Sequence, residues 1–179
     1  YERIGVASLF IEDQKHPKRC GHMDGKELIS TEEMCAKIKA AKTAQTDPDF
    51  TICARTDAIA VEGFDSAIQR AKFYINAGAD IIFIEAPENM EQLEKIPKLI
   101  TEVPLLINML EGGKTSIINQ NELAQMGYKL IAYPVTTLFT GLKATREALT
   151  NLMVAGLPDE KNMITFPDYK KLVELEKYI

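Results

Sequence analysis

Cysteine is scarce and odd in number. The chain holds three, Cys20, Cys35 and Cys53, with no metal-site spacing among them. That argues against a disulfide framework and for a reducing compartment. Positive charge is also short: 21 Lys and Arg face 26 Asp and Glu, a formal net charge of -5. No nucleic-acid partner is therefore expected. No apolar run approaches the roughly 20 residues a membrane-spanning helix needs, and no secretory signal is visible. No membrane partner and a cytoplasmic location are the expectations. Low-complexity linkers are missing too, so residues 1–179 read as part of one domain.

What is present is an ordinary globular balance, 46% hydrophobic and 26% charged, in a length that supports a sizeable core. Three times a helix-like segment ends in glycine and an apolar strand follows. Arg3-Ile4-Gly5 leads to Val6–Ile11, Asn76-Ala77-Gly78 to Ile81–Ile84, and Gln125-Met126-Gly127 to Leu130–Ala132. Glycine at that point suits a left-handed helix cap. Two more strands read as Phe50–Ala54 and Val103–Asn108. Runs apolar on both faces suit parallel strands covered by helices.

Amphipathic segments separate the strands. Ser30-Thr31-Glu32-Glu33 is a capping box that opens a helix through Ala44, with Met34, Ile38 and Ala41 on one face. Further helices are predicted over Phe64–Ala77, Glu88–Leu99 (with Pro97 as a possible end or kink), Asn121–Met126, Val135–Ala155 and Tyr169–Tyr178. The alternation implies βαβ units and a parallel sheet. Cys35 falls in a helix pattern and Cys53 in a strand, so both read as core residues.

Polar residues gather where strands end. Glu12 and Asp13 follow the first strand, Arg55-Thr56-Asp57 the second, Glu85 the third, Asn108 and Glu111 the fourth, and Tyr133 the fifth. In a (β/α)8 barrel that end carries the active site, and in an open α/β sheet it carries the ligand crevice. Any one of these could be a solvated strand end or an ion pair. Five successive strands doing the same point to a site. For Asp57, an ion pair with a neighbouring cation is the preferred reading.

The first of these loops holds Lys18-Arg19-Cys20-Gly21-His22. A thiol beside two cations and an imidazole favours thiolate over thiol, and the adjacent glycine permits a sharp bend or a close approach. A loop cysteine in a chance basic cluster is the alternative. His16 reads as a solvated loop residue.

IEDQ at Ile11–Gln14, PKRCGH at Pro17–His22, ARTDA at Ala54–Ala58, AGAD at Ala77–Asp80 and NMLEGGKT at Asn108–Thr115 occur in this order. Together they resemble the isocitrate lyase/phosphoenolpyruvate mutase superfamily, on its 2-methylisocitrate lyase, dimethylmalate lyase and oxaloacetate-cleaving branch. The resemblance runs from Tyr1 to Ile179. It implies an α/β fold, a (β/α)8 TIM-type barrel of about 250 residues. This chain would supply its C-terminal five βα units plus a terminal helix. The three remaining units, a serine-glycine loop and the main metal aspartates would lie upstream.

The resemblance implies a Mg2+-dependent cleavage of a carbon–carbon bond in a small di- or tricarboxylate. Cys20 would protonate the departing enediolate, with Lys18, Arg19 and His22 tuning its thiol. Glu12 would sit near Mg2+ through water. Arg55 would hold a substrate carboxylate, and Glu85 would orient loop or substrate. Gly21 would contact the substrate, and Asn108 with Glu111 would line the floor. A homotetramer with an exchanged terminal helix is also implied. Phe139 and Phe166 stand where tricarboxylate-cleaving members carry arginine, which favours a smaller dicarboxylate. A phosphonomutase or decarboxylase on the same scaffold, and a non-catalytic module, remain as alternative readings.

Overall fold

The computed structural model describes residues 1–178. Two compact units emerge, Tyr1–Pro134 and a second from Val135 onward, where the sequence shows no internal boundary.

The first unit is built on five strands: β1 (Ser8–Glu12), β2 (Thr51–Thr56), β3 (Ile81–Ile84), β4 (Leu105–Asn108) and β5 (Leu130–Ala132). All neighbours pair in parallel, in the order β1-β2-β3-β4-β5. Helices make every crossover: α1 (Thr31–Ala44), α2 (Ile59–Glu62) with α3 (Phe64–Asn76), α4 (Met90–Leu99) and α5 (Gln120–Met126). Sequential winding of a parallel sheet with a helix after each strand gives half a barrel, consistent with part of a TIM-type fold.

Gly5, Gly78 and Gly127 take φ of 80°, 109° and 118°, the left-handed return that the sequence repeat implies. The boundaries shift in places. β1 begins at Ser8 rather than Val6, because the ladder to β2 opens with Ser8 opposite Thr51. β4 begins after Pro104, which has no N–H to give a ladder. β2 runs two residues past Ala54 and so carries Arg55 and Thr56 into the sheet. Pro97 does not end α4, which continues to Leu99, and the helix starts at Met90 where Asn89 caps the Gln92 N–H.

The main core lies between sheet and helices. Met34 and Ile38 of α1, Ala67, Ala71 and Tyr74 of α3, and Leu93 and Ile96 of α4 are buried against Ala54, Ile82 and Ile107. The opposite face holds a smaller cluster, Cys53, Ile81 and Phe83, with Leu106 packed on it. Side chains alternate along a strand. Glu12, Arg55, Glu85 and Asn108 therefore continue the face that carries Phe10, Cys53, Phe83 and Leu106.

In the second unit, α6 (Thr136–Ala155) ends at Gly156, and α7 (Phe166–Leu172) is followed by a 3-10 turn at Leu175–Lys177. The sequence expectation of a terminal helix over Tyr169–Tyr178 is corrected on both ends. Thr165 caps the Asp168 N–H and Pro167 fits the first turn, so α7 starts earlier. Glu174 takes a left-handed φ of 50°, and the helix stops before it. Neither α6 nor α7 has a buried residue. Among the described residues no helix is long and apolar enough to cross a membrane.

Candidate active site

The ladder places Glu12 beside Arg55, and the ends of the next two strands extend the row. Lys18 Nζ lies 3.1 Å from Glu12. Arg55 Nε is 3.4 Å from Glu12 Oε2, and Arg55 Nη1 is 3.2 Å from Glu85 Oε2. Asn108 Nδ2 donates to Glu85 Oε1 at 3.4 Å. Arg55 also donates through Nε and Nη2 to both oxygens of Asp57, at 2.9 and 3.1 Å. Asp57 is thus the ion-pair partner its position suggests. The guanidinium carbon stands 5.1 Å from the centre of the Phe83 ring, within cation–π range.

Three carboxylates on one buried guanidinium set the local charge. Burial works against the Arg55 cation, but the Asp57 hydrogen bonds and the charges of Glu85, Asp57 and Glu12 outweigh it and raise its pKa. Burial likewise pushes the Glu85 carboxyl up, while His22 and Arg55 pull harder and hold it below the ordinary glutamate value.

The loop between β1 and α1 is folded onto this row. Its neck is tied by backbone bonds Lys15 N–H to Glu27 O (2.8 Å) and Ile29 N–H to Asp13 O (2.9 Å). The Gln14 side chain pairs with both backbone groups of Arg19, at 2.9 Å each. Inside the loop, buried Lys26 donates Nζ to the Gly21 carbonyl and, at 2.6 Å, to the Met23 carbonyl. Burial lowers the Lys26 pKa. Gly21 rests on the site itself: a Cβ there would meet Glu85 Cγ at 2.3 Å and Arg55 Nη2 at 2.7 Å. Glycine is the residue that permits this approach.

His22 follows it in. Its Nε2 lies 3.0 Å from Glu85 Oε1, with side chains only 6% and 1% exposed. On the other side of the ring, Nδ1 accepts the Lys114 backbone N–H at 2.9 Å. Lys114 Nζ reaches Asp24 at 2.8 Å, so two loops are joined across the site.

The structure therefore brings together Glu12, Lys18, Gly21, His22, Arg55, Glu85 and Asn108. Glu111 sits in the turn after β4, half-buried. Cys20 is exposed at the turn of the loop, its carbonyl accepting the Met23 N–H at 2.9 Å. The neighbours expected to tune its thiol make their bonds elsewhere: Lys18 to Glu12, Arg19 to the Asp24 carbonyl at 3.3 Å, His22 to Glu85. His22 Nε2, Glu85 Oε2 and Asn108 Oδ1 are buried without a well-aligned hydrogen bond. Glu85 Oε2 keeps the Arg55 charge 3.2 Å away, and His22 Nε2 and Asn108 Oδ1 are placed to take a further hydrogen bond.

Sequence reasoning overlooks the support beneath. Asp13, fully buried, accepts from Thr56 Oγ1 (2.7 Å), Tyr74 OH (2.8 Å) and the Asp57 N–H (3.0 Å). Arg70 stands 3.4 Å away and binds Glu62 through two nitrogens at 2.7 and 2.8 Å. Burial raises the Asp13 pKa against all of these bonds. The available signal is Arg70 itself, an arginine amid Ala67, Ala71 and Tyr74 on the apolar face of α3. Lys26 carries no comparable signal in its spacing.

The family description "phosphoenolpyruvate phosphomutase" matches residues 1–153. The chain belongs to the phosphoenolpyruvate phosphomutase family. Among its relatives in that family, 2,3-dimethylmalate lyase of Eubacterium barkeri is 44% identical over 181 residues, 99% of this chain and 62% of that protein. The 2-methylisocitrate lyase of Shewanella oneidensis is 44% identical over 179 residues, all of this chain and 60% of that protein. A solved structure of oxaloacetate acetylhydrolase with the inhibitor 3,3-difluorooxalacetate superposes with a TM-score of 0.92 at 31% identity, covering 98% of this chain and 60% of that one. The chain thus spans about three-fifths of the length of these relatives.

Proposed function

We propose that the protein containing this chain is a Mg2+-dependent carbon–carbon lyase acting on a 2-hydroxy dicarboxylate of alkylmalate or 2-methylisocitrate type, or on a 2-oxo dicarboxylate. The observation that supports it most is the docking of Gly21 and His22 on Glu85 and Arg55, which brings a thiol-bearing loop to the carboxylate-and-arginine row at the strand ends. In such a cleavage of a 2-hydroxy diacid, or of a 2-oxo diacid as its hydrate, the 2-hydroxyl gives its proton to a carboxylate of the row as the carbon–carbon bond breaks. The bond's electrons pass to the departing half as an enediolate, and the Cys20 thiol supplies the proton that quenches it.

The residues have distinct tasks in this reading. Asp57 occupies the Nε/Nη2 fork of Arg55 and Glu85 stands at Nη1, so a substrate carboxylate would share the Nη1 edge with Glu85. Glu85 and Asn108, each with a buried oxygen lacking an aligned partner, orient the substrate together with His22. Glu111 completes the floor.

The donor set fits Mg2+ in part. Glu12 is a hard oxygen donor at the site's mouth and would reach the ion through water. Among the described residues no group of three or more His, Cys, Asp or Glu could hold a metal ion, so the remaining ligands are assigned to parts of the protein outside this chain. When bound, the ion would polarise the oxygens of the 2-oxoacid half.

The five βα units are assigned to an eight-unit barrel completed by the rest of the protein. Because α6 and α7 bury no residue, an exchanged terminal helix in a cytoplasmic homotetramer is part of the same proposal. A phosphonomutase, favoured by the family description, or an oxaloacetate decarboxylase is the second reading. The full-length protein, assayed with Mg2+ against a panel of 2-hydroxy and 2-oxo diacids and carboxyphosphonoenolpyruvate, separates these. Pyruvate or glyoxylate release from a 2-hydroxy diacid, without CO2, supports the lyase, whereas pyruvate with CO2 from oxaloacetate would replace it with the decarboxylase. Turnover of the phosphonate alone would replace it with the mutase.

A further inference from the structure

The two sides of the His22 ring are not equivalent. Nδ1 accepts a well-aligned hydrogen bond from the Lys114 backbone N–H at 2.9 Å. A nitrogen that accepts an N–H bond carries no proton of its own. The ring proton of a neutral imidazole must then sit on Nε2, and that atom lies 3.0 Å from Glu85 Oε1. The donor is main chain, so no side-chain rotation can withdraw it.

The turn that presents this N–H is built for it. Gly113 closes a tight turn through its N–H to the Leu110 carbonyl at 3.0 Å. A Cβ on Gly113 would stand 2.6 Å from His22 Nδ1 and 2.9 Å from Cε1, so any larger residue would push the ring off the Lys114 N–H. Two further bonds hold the turn: Lys114 Nζ to Asp24 at 2.8 Å and Thr115 Oγ1 to the Pro87 carbonyl at 2.8 Å.

We infer that Gly113 and the Lys114 backbone N–H are positioning groups that lock His22 in its Nε2-protonated tautomer, with Nε2 buried 3.0 Å from Glu85 Oε1. The lock stands on geometry alone; only its use in turnover rests on the lyase reading. In that use, the Nε2–H, which makes no aligned bond within the chain, is offered to a substrate oxygen beside Glu85, and His22 cannot act as a base through Nδ1 while the loop is closed.

The test is nitrogen-resolved NMR of the intact protein labelled with 15N-histidine, with the His22 signals identified by their loss in His22→Asn. The long-range proton–nitrogen pattern distinguishes the tautomers. Native His22 is expected to show the Nε2-protonated pattern. Lys114→Pro removes the N–H and should convert it to a mixture of tautomers, and Gly113→Ala should do the same by displacing the ring. Lys114→Ala keeps the backbone donor while removing the Asp24 bridge, and should leave the native pattern in place. An Nδ1-protonated or doubly protonated His22 in the native protein at neutral pH would overturn the inference, and that measurement needs no folded variant. An unchanged pattern in folded Lys114→Pro would overturn it as well. A locked tautomer in a protein that cleaves no diacid would leave this inference standing and the lyase reading refuted.

Discussion

Gly21 and Glu85 touch so closely that no side chain fits between them: a Cβ on Gly21 would stand 2.3 Å from Glu85 Cγ and 2.6 Å from Cδ. Glu85 cannot yield, because Arg55, His22 and Asn108 surround its carboxylate. In Gly21→Ala the loop must lift instead. A displacement near 1 Å at a catalytic loop costs about 100-fold in rate. The expected outcome is a kcat/KM lower by that order, with a near-native Tm, read by steady-state kinetics and calorimetry. Native kinetics in the variant would mean that this docked geometry is not used in turnover.

Cys20→Ser tests the proton donor. A serine hydroxyl is a far weaker acid than a thiol. Turnover of the full-length enzyme should vanish while circular dichroism and Tm stay native, since Cys20 is exposed. Retained lyase activity would remove Cys20 from the mechanism.

Glu85 should leave a signature in the pH dependence of stability. Its carboxyl is held below the ordinary value of 4.5 in the folded protein. Such a group binds fewer protons folded than unfolded, so its stabilisation is present above pH 4.5 and fades as pH falls through the folded pKa. Glu85→Gln should cost about 1.5–3 kcal/mol at pH 7, and the gap to the native protein should narrow at pH 4. Urea unfolding at the two pH values measures it. A gap that widens on acidification would contradict the sign.

The family resemblance puts Phe139 and Phe166 where tricarboxylate-cleaving members carry arginine, and a substrate preference is expected from that. Phe139 on α6 is 50% exposed and Phe166 on α7 is 68% exposed, the latter 6.4 Å from Tyr169 in a stacked arrangement. An apolar ring in place of a cation favours an alkyl group over a third carboxylate by roughly 1–3 kcal/mol. The full-length enzyme is expected to prefer an alkylmalate or oxaloacetate-like diacid over 2-methylisocitrate by about tenfold in kcat/KM. Phe139→Arg should narrow the ratio. If 2-methylisocitrate proves the best substrate of the native enzyme, both positions have been misread.

Much of this architecture is legible in the sequence because it is local. Glycine caps at 5, 78 and 127 and doubly apolar runs mark the strands, and the acid, arginine and amide at each strand end mark the row. The loop motif 18–22 falls on that row because βα connections emerge at the same end of a parallel sheet. Partnerships across long separations are not legible. Asp13 meets Tyr74 and Arg70 only after α3 packs, and His22 meets Lys114 only when two loops close. Lys26 looks like any surface lysine until its ammonium is found under the loop. The limits of the terminal helix are not legible either, because Thr165 and Glu174 set them, not the apolar spacing of Tyr169–Tyr178.

The three thiols occupy three different surroundings. Burial pushes Cys53 up to about 12 and raises Cys35 as well, and Cys35 further spends its S–H on the Phe73 carbonyl. Cys20 stands in the open. An alkylating probe added near neutral pH will therefore discriminate among them without mutagenesis. The chain carries an attachment point for a fluorophore or spin label at the tip of the very loop whose closure is in question, so the loop's position can be followed directly, at the cost of the thiol that turnover would use.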